Sequence, residues 1–246
     1  MSKNYTNNYI KLNLYKKKSL NSEIVTQLLY GEDFKIIKKE NKWWKIKIKK
    51  DRYIGYIKKK KFIKIIKATH KIHKLYANIY SKPNKRNKIG KLSFNSKIKV
   101  KKSFSHFVKF ENKWIDKNDI KPINFENKNI FQNIKIFKGV KYKWGGNSYK
   151  GIDCSALIQI FFNFNNKYCP RDTKDQLNYF KRNIQINKIK KNDIIYWKGH
   201  VALVLSKKNL IHAYGPSKKT VIMNVQKTIK LINKTANLEV INIKRI

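Results

Sequence analysis

The sequence predicts an α+β protein in which two small all-β barrels, over residues 1–66 and 67–122, precede an α+β domain over residues 123–246. Three observations carry this. Up to residue 122, apolar and polar residues alternate in short runs. Within that stretch a set of apolar and aromatic positions repeats. Beyond it, glycine gathers around a helix-length apolar segment that leads into strands.

The barrels come first in the chain. Phe34-Lys35-Ile36, Trp44-Lys45-Ile46-Lys47-Ile48, Tyr53-Ile54-Gly55-Tyr56-Ile57, Ile98-Lys99-Val100 and Phe107-Val108-Lys109-Phe110 have a period of two. That period sends alternate side chains to opposite faces, so these are half-buried strands with lysine toward water. Leu14-Tyr15 returns as Ile79-Tyr80, Gly31-x-x-Phe34-x-Ile36 as Asn95-x-x-Ile98-x-Val100, Trp44-x-Ile46 as Val108-x-Phe110, and Gly55-Tyr56-Ile57 as Lys113-Trp114-Ile115. The second copy is the shorter. Five or six short strands in roughly 55 residues suit an SH3-like barrel. The alternative is chance similarity in a Lys/Ile-rich chain, and the recurring aromatic positions argue against it.

Residues 123–133 read as a linker or the start of the next domain. Six of the nine glycines then follow, at 139, 145, 146, 151, 199 and 215. Asp153-Cys154-Ser155-Ala156-Leu157-Ile158-Gln159-Ile160-Phe161-Phe162 is apolar almost all round, as a central buried helix is, and Asp153 is a good N-cap. Asp193–Trp197, Val201–Leu205 and Leu210–Ala213 read as strands. A helix followed by a strand meander is an α+β arrangement.

Composition excludes several classes. The chain has 246 residues, 59 Lys+Arg against 14 Asp+Glu, and a net charge of +45. Its 54 Lys, 36 Ile and 29 Asn make up close to half the chain, while Arg numbers 5. Lys, Ile and Asn share A/T-rich codons, and nucleic-acid readers favour Arg for bidentate contacts. The charge is therefore read as compositional. No specific nucleic-acid partner is expected, only nonspecific polyanion binding at low salt. At 41% hydrophobic and 13% aromatic residues the chain is no disordered segment. No apolar run reaches the ~18–20 residues of a membrane span. Two cysteines exclude a disulfide scaffold. The start, Met1-Ser2-Lys3-Asn4-Tyr5-Thr6-Asn7-Asn8, has no apolar signal region, so a cytoplasmic protein is expected.

The chemistry centres on Cys154, at the start of the predicted helix. Unpaired N–H groups and the macrodipole there favour a thiolate, and a nucleophilic cysteine also needs a base. The alternative is a buried structural cysteine; Gly145-Gly146 and Gly151 just upstream, which allow a substrate backbone close, weigh against it. Cys169 has no helix-start signal and reads as an apolar filler. A hairpin through Ser206-Lys207-Lys208 pairs Ala202 with His212 and leaves His200 as the diagonal neighbour of His212, ~7 Å away on the same face. Either histidine alone is ordinary. Two on adjacent strands downstream of a helix-start cysteine are a base and its orienting partner. His70-x-x-His73 has no cysteine or acidic cluster beside it, so no metal is expected there.

Residues 137–214 resemble the NlpC-type bacterial cell-wall cysteine peptidases, papain-like in clan. The matching pieces are Tyr142-Lys143-Trp144-Gly145-Gly146, Gly151-Ile152-Asp153-Cys154-Ser155-Ala156-Leu157-Ile158-Gln159, Pro170-Arg171-Asp172-Thr173-x-x-Gln176, Asn192-Asp193-Ile194-Ile195, His200-Val201-Ala202-Leu203-Val204 and Ile211-His212-Ala213. Six pieces in family order are a specific signal where one would be weak. Thr26-Gln27-Leu28-Leu29-Tyr30-Gly31-Glu32 and Asp51-Arg52-Tyr53-Ile54-Gly55-Tyr56 look like the first bacterial SH3 domain of three-domain members. The second barrel is poorly matched. Ala156 stands where glycine is common, Gly199 where a polar contact is common, Asn192 for the glycine of a Gly-Asp turn, and Cys169 where an apolar residue is usual.

The resemblance implies a papain-like hydrolase domain behind two SH3-like barrels, cleaving the γ-D-glutamyl–diaminopimelate bond of peptidoglycan peptides. Cys154 would be the nucleophile, His200 the base and His212 the third polar residue. Tyr142 would help hold the oxyanion. Trp144, Asp153 and Ser155 would line the substrate site, with Arg171 and Thr173 on its rim. Glu32 and Tyr53 are the matches for an acidic and a tyrosyl group that recognise a free N-terminal amine. Neither metal nor organic cofactor is implied. Free L-Ala-γ-D-Glu-diaminopimelate peptides, in wall recycling, are the expected substrates. Two other functions remain open on sequence alone: a non-catalytic binder of peptidoglycan or nucleic acid, and an acyltransferase using the same Cys-His chemistry.

Overall fold

The computed structural model describes residues 4–246. In the first seven-stranded antiparallel sheet the strands run in the order Ile24–Leu29, Lys11–Tyr15, Ile54–Lys58, Trp43–Ile48, Asp33–Glu40, Asn4–Thr6 and Ile63–Lys64. The alternation is the reason: along Trp43–Ile48 the side chains of Trp44, Ile46 and Ile48 are buried, and those between are half-buried. These close on Leu12, Leu14, Leu28, Phe34 and Ile57.

The next residues form a five-stranded sheet between Tyr76 and Asp116 and a three-stranded one made of His70–Ile72, Lys97–Ile98 and Ile120–Pro122. Ile79, Ile98, Phe110 and Ile115, the repeat partners of Leu14, Phe34, Ile46 and Ile57, fill their core. Gly31 and Asn95, equivalent in the repeat, both have left-handed backbone, with φ of 80° and 64°. Asn is among the few non-glycine residues that adopt this region readily.

The third unit is built on a six-stranded antiparallel sheet, ordered Arg182–Asn183, Asn242–Arg245, Ile194–Trp197, His200–Val204, Asn209–Tyr214 and Lys219–Asn224. Its strands Ile194–Trp197, His200–Val204 and Asn209–Tyr214 are buried on both faces because both are covered. Ile194, Tyr196, Val201, Leu203 and Ile211 pack on helix α1 (Cys154–Phe164), every residue of which is buried. Ile195, Trp197, Ala202, Val204 and Leu210 face the opposite way, with α3 (Val225–Ala236) contributing Val225 and Ile232. A short helix, α2 (Thr173–Tyr179), lies between α1 and the sheet edge in sequence. Within 123–133, Phe131 belongs to the α1 core, as do Ile134 and Phe137 just beyond, so of the two readings of this stretch the start of the next domain is the one it fits. No helix among the described residues is long and apolar enough to cross a membrane.

The β units grip the helical domain rather than trailing from it. Phe94 stacks on Phe164 at 4.7 Å between ring centres. The fully buried Lys71 donates from Nζ to the Phe164 carbonyl at 2.5 Å. That carbonyl is among the last four of α1, which lack intrahelical donors, and a cation there also suits the helix dipole. From the first barrel, Asp51 accepts from Gln159 Nε2 at 3.0 Å, and Gln27 Oε1 accepts from the Asn147 N–H at 3.1 Å.

Candidate active site

Helix α1 begins where predicted. Asp153 has extended backbone, and its Oδ1 accepts the Ala156 N–H at 2.8 Å, which caps the helix and sets Cys154 as its first residue. The carboxylate is fully occupied. It also accepts from the Gly145 N–H at 2.9 Å, Ser155 Oγ at 3.2 Å, and Arg171 Nη1 at 3.0 Å and Nη2 at 2.5 Å. Arg171 Nε reaches across to Thr26 Oγ1 of the first barrel at 2.8 Å. Arg171 is therefore no rim residue. It is 3% exposed and forms the cleft wall, its fork holding the start of α1 against the barrel. A planar bidentate donor suits that role where lysine would not. Thr173, at the start of α2, does lie on the cleft, as do Ser155 and Trp144.

The histidines come from the sheet. Leu203 pairs with Ile211, which sets Ala202 opposite His212, as the hairpin reading expects. His200 Nε2 and His212 Nδ1 are 2.8 Å apart. His212 Nε2 lies 3.3 Å from Met223 Sδ. A thioether accepts but cannot donate, so the proton of this neutral imidazole is on Nε2 and its Nδ1 accepts from His200. The His200 Nε2–H is then the donor, and its Nδ1 carries the lone pair. Nδ1 is thus the base nitrogen, fixed by a relay that ends on Met223. Cys154 Sγ sits against the N–H groups of Val201, next to His200, and of Ser155.

The expectation of a thiolate at rest is corrected. Burial pushes the Cys154 thiol up to about 11, with the Asp153 charge adding to it, and the backbone donors only partly offset this. Burial pushes His200 down to about 4, and burial together with His200 pushes His212 down to about 3. Desolvation of the sulfur outweighs the helix start. The resting pair is thiol and neutral imidazole, and the proton moves to His200 as the sulfur attacks. Two results follow. Iodoacetamide should label Cys154 slowly at neutral pH and faster as pH rises, whereas a labelling midpoint near neutrality would mean a resting ion pair. The kcat/KM profile should be level from about pH 6 to 9 and fall only as His200 takes a proton near 4. The unfolded chain binds that proton nearer 6.5, so stability also falls as pH drops through this window. Cys169 is fully buried, its thiol raised by burial, in keeping with a filler.

The cleft has a volume of about 650 Å³. Tyr142 stands beside the nucleophile, where burial and the nearby Cys154 push its phenol up to about 12, so it stays a donor. At one end Trp144 Nε1 donates to Glu23 Oε1 at 2.7 Å, and Tyr53 Oη donates to Asp172 Oδ2 at 3.0 Å. Tyr53 is therefore where the sequence places it, but Glu32 is not. Glu32 is 2% exposed and folds onto its own turn, taking the Leu29 N–H at 2.9 Å and Lys50 Nζ at 2.6 Å. The turn through Gly31 aims it away from the cleft, and the glutamate that lines the cleft is Glu23. Glu23 and Asp172 were missed. Asp172 lies inside the Pro170–Thr173 motif and could have been singled out. Glu23 carried no local signal, since its partner Trp144 is 121 positions away.

Residues 139–235 match the NlpC/P60 family, and residues 14–62 match the bacterial dipeptidyl-peptidase SH3 domain. The chain carries an NlpC/P60 domain behind a bacterial dipeptidyl-peptidase SH3 domain. It is 27% identical over 229 residues to dipeptidyl-peptidase 6 of Lysinibacillus sphaericus, covering 82% of this chain and 84% of that one. It is 26% identical over 234 residues to γ-D-glutamyl-L-lysine dipeptidyl-peptidase of Bacillus subtilis strain 168, covering 84% and 77%. The fold matches a crystal structure of an NlpC/P60 family protein from Bacillus cereus with a TM-score of 0.81 at 18% identity, over 98% of this chain and 99% of that one. The NlpC/P60 domain, the SH3-like domain in front of it and peptide hydrolysis, all expected from the sequence, are what these matches support.

Proposed function

We propose that this peptidase releases the N-terminal dipeptide L-Ala-γ-D-Glu from free peptidoglycan peptides, cutting the γ-D-glutamyl–diaminopimelate bond. The carrying observation is the barrel-built end of the cleft. Glu23, Tyr53 and Asp172 line the same cleft as Cys154 and offer carboxylates to the ammonium of a peptide bound there. Relatives named as dipeptidyl-peptidases, one specifying a γ-D-glutamyl-L-lysine bond, support release of a dipeptide at a γ-D-glutamyl bond. An ammonium requirement confines the enzyme to released peptides, as wall recycling demands.

The steps use groups already placed. Cys154 Sγ attacks the γ-carbonyl carbon while His200 Nδ1 takes the thiol proton. The oxyanion is held by the Cys154 N–H and the Tyr142 hydroxyl. His200 returns the proton to the departing amine, the C–N bond breaks, and a thioester remains. Water, deprotonated by His200, hydrolyses it. Mass spectrometry of L-Ala-γ-D-Glu-diaminopimelate incubated with the enzyme should show L-Ala-γ-D-Glu and free diaminopimelate, and neither with Cys154→Ala. Release of alanine alone, or transfer of the dipeptide to an added amine in preference to water, would overturn the proposal.

A further inference from the structure

The chain has two methionines, and one of them ends the histidine relay. Met223 lies on the strand Lys219–Asn224, which pairs with Asn209–Tyr214 so that Val221 is opposite His212 and Met223 is opposite Leu210. Antiparallel pairing makes Met223 the diagonal neighbour of His212 on one sheet face. Its Sδ is 3.3 Å from His212 Nε2, and no other hydrogen-bond partner reaches that nitrogen among the described residues. His212 is fully buried, and its ring stacks on Tyr214 at 4.7 Å with the planes 13° apart. The imidazole is thus gripped on its face, with Nε2 against sulfur and Nδ1 against His200.

What sits at Nε2 decides more than the tilt of one ring. Two neutral imidazoles that share a hydrogen bond can carry their protons in either of two senses. In the first, His200 and His212 are both protonated at Nε2, and His200 Nδ1 keeps a free lone pair. In the second, His212 Nδ1 donates to His200 Nε2, and the His200 proton sits on Nδ1, where it blocks uptake of the thiol proton. A hydroxyl, an amide or a water at the end of the relay could donate or accept, and so would permit both senses. A thioether only accepts. The second sense would set the Nε2 lone pair against the lone pairs of sulfur, so Met223 selects the first. It does so without charge, in keeping with a resting pair of thiol and neutral imidazole.

We infer that Met223 is a positioning residue of the peptidase, which sets the side of the His200 ring that carries the proton by accepting from His212 Nε2. The inference rests on the Cys154–His200 chemistry of the proposed function and adds the residue that keeps its base nitrogen free. Met223 touches neither substrate nor nucleophile and acts through His212 alone.

The test uses two variants of the full-length chain. Met223→Leu keeps the bulk and removes the acceptor, and Met223→Glu restores an acceptor that cannot donate when ionised. Nitrogen-15 spectra of histidine-labelled protein at neutral pH distinguish a protonated from an unprotonated ring nitrogen. The wild type and Met223→Glu should show His200 and His212 each protonated at Nε2, and Met223→Leu should show a mixture of both senses. On the tripeptide, kcat should fall about three- to tenfold in Met223→Leu, the worth of one ordinary hydrogen bond. KM should stay near the wild-type value, and Met223→Glu should recover most of the loss. A wild-type spectrum with His212 protonated at Nδ1 would overturn the inference. So would a Met223→Leu variant with unchanged spectrum and kcat, or equal losses in both variants with both spectra like the wild type, which would leave Met223 a packing role only. If the wild type leaves the tripeptide uncut, the proposed reaction is wrong, while the spectra, read without substrate, still decide the role of Met223.

Discussion

Cys154→Ala and His200→Ala should each lower kcat/KM on the tripeptide by about 10⁴-fold or more, and the double variant should be no worse than either single one. The resting pair is uncharged, so neither partner is useful without the other. A thiol held up to about 11 is no nucleophile at neutral pH unless His200 removes its proton during attack. An imidazole held down to about 4 has no catalytic task unless sulfur supplies that proton. Groups that act as one unit give non-additive losses. Steady-state kinetics on the three variants, with thermal melts to show that folding is kept, checks this. Fully additive losses would mean that His200 acts in a step separate from thiol activation. His212→Ala should cost less, because it orients the base and does not touch the substrate.

How far the sequence anticipates this site depends on how local each cause is. Strand alternation is a property of neighbouring residues, so Trp44, Ile46 and Ile48 can be assigned to the interior directly. The same holds for the Asp153 cap. The hairpin register also follows from a few residues, and with it the His200–His212 contact. The carboxylates that line the cleft did not follow. The carboxylate on the cleft is decided by where a barrel turn meets Trp144, a contact between domains. Within the Thr26–Glu32 motif, the glutamate that matches best by position closes its own turn onto Leu29 and Lys50. The thiol's state was misjudged for a related reason. A helix start is visible in sequence, but the depth at which it is buried is set by the sheet and barrel packed around it. Arg171 shows the same limit: its motif marks it for the site, and only the packing reveals that its guanidinium ties Asp153 to Thr26 in the cleft wall.

Acetylating the alanine amine of the tripeptide should lower kcat/KM by about 30-fold or more, and Glu23→Gln should reproduce most of that loss on the free-amine peptide. A charged hydrogen bond between carboxylate and ammonium is about twice as strong as a neutral one. Glu23 is exposed in the free enzyme and pairs there with Lys16; once a bound peptide covers it, losing one partner costs about 2–5 kcal/mol, which at about 1.4 kcal/mol per decade is ~30- to several-thousand-fold. Glutamine keeps an oxygen for Trp144 Nε1, so the variant removes charge while leaving the 2.7 Å contact a donor and an acceptor. Acetylation and Glu23→Gln delete the same interaction, so the variant should lose little further on the acetylated peptide. Glu32→Gln separates the two glutamates. Its partners are Lys50 and the Leu29 N–H, both outside the cleft, so it should lower the melting temperature while the free-to-acetylated ratio stays at the wild-type value. Should the acetylated peptide, or one still attached to sugar, be cleaved as well as the free tripeptide, the cleft carboxylates do not read the amine. The enzyme would then cut within longer wall peptides, and confinement to released fragments would lose its physical basis.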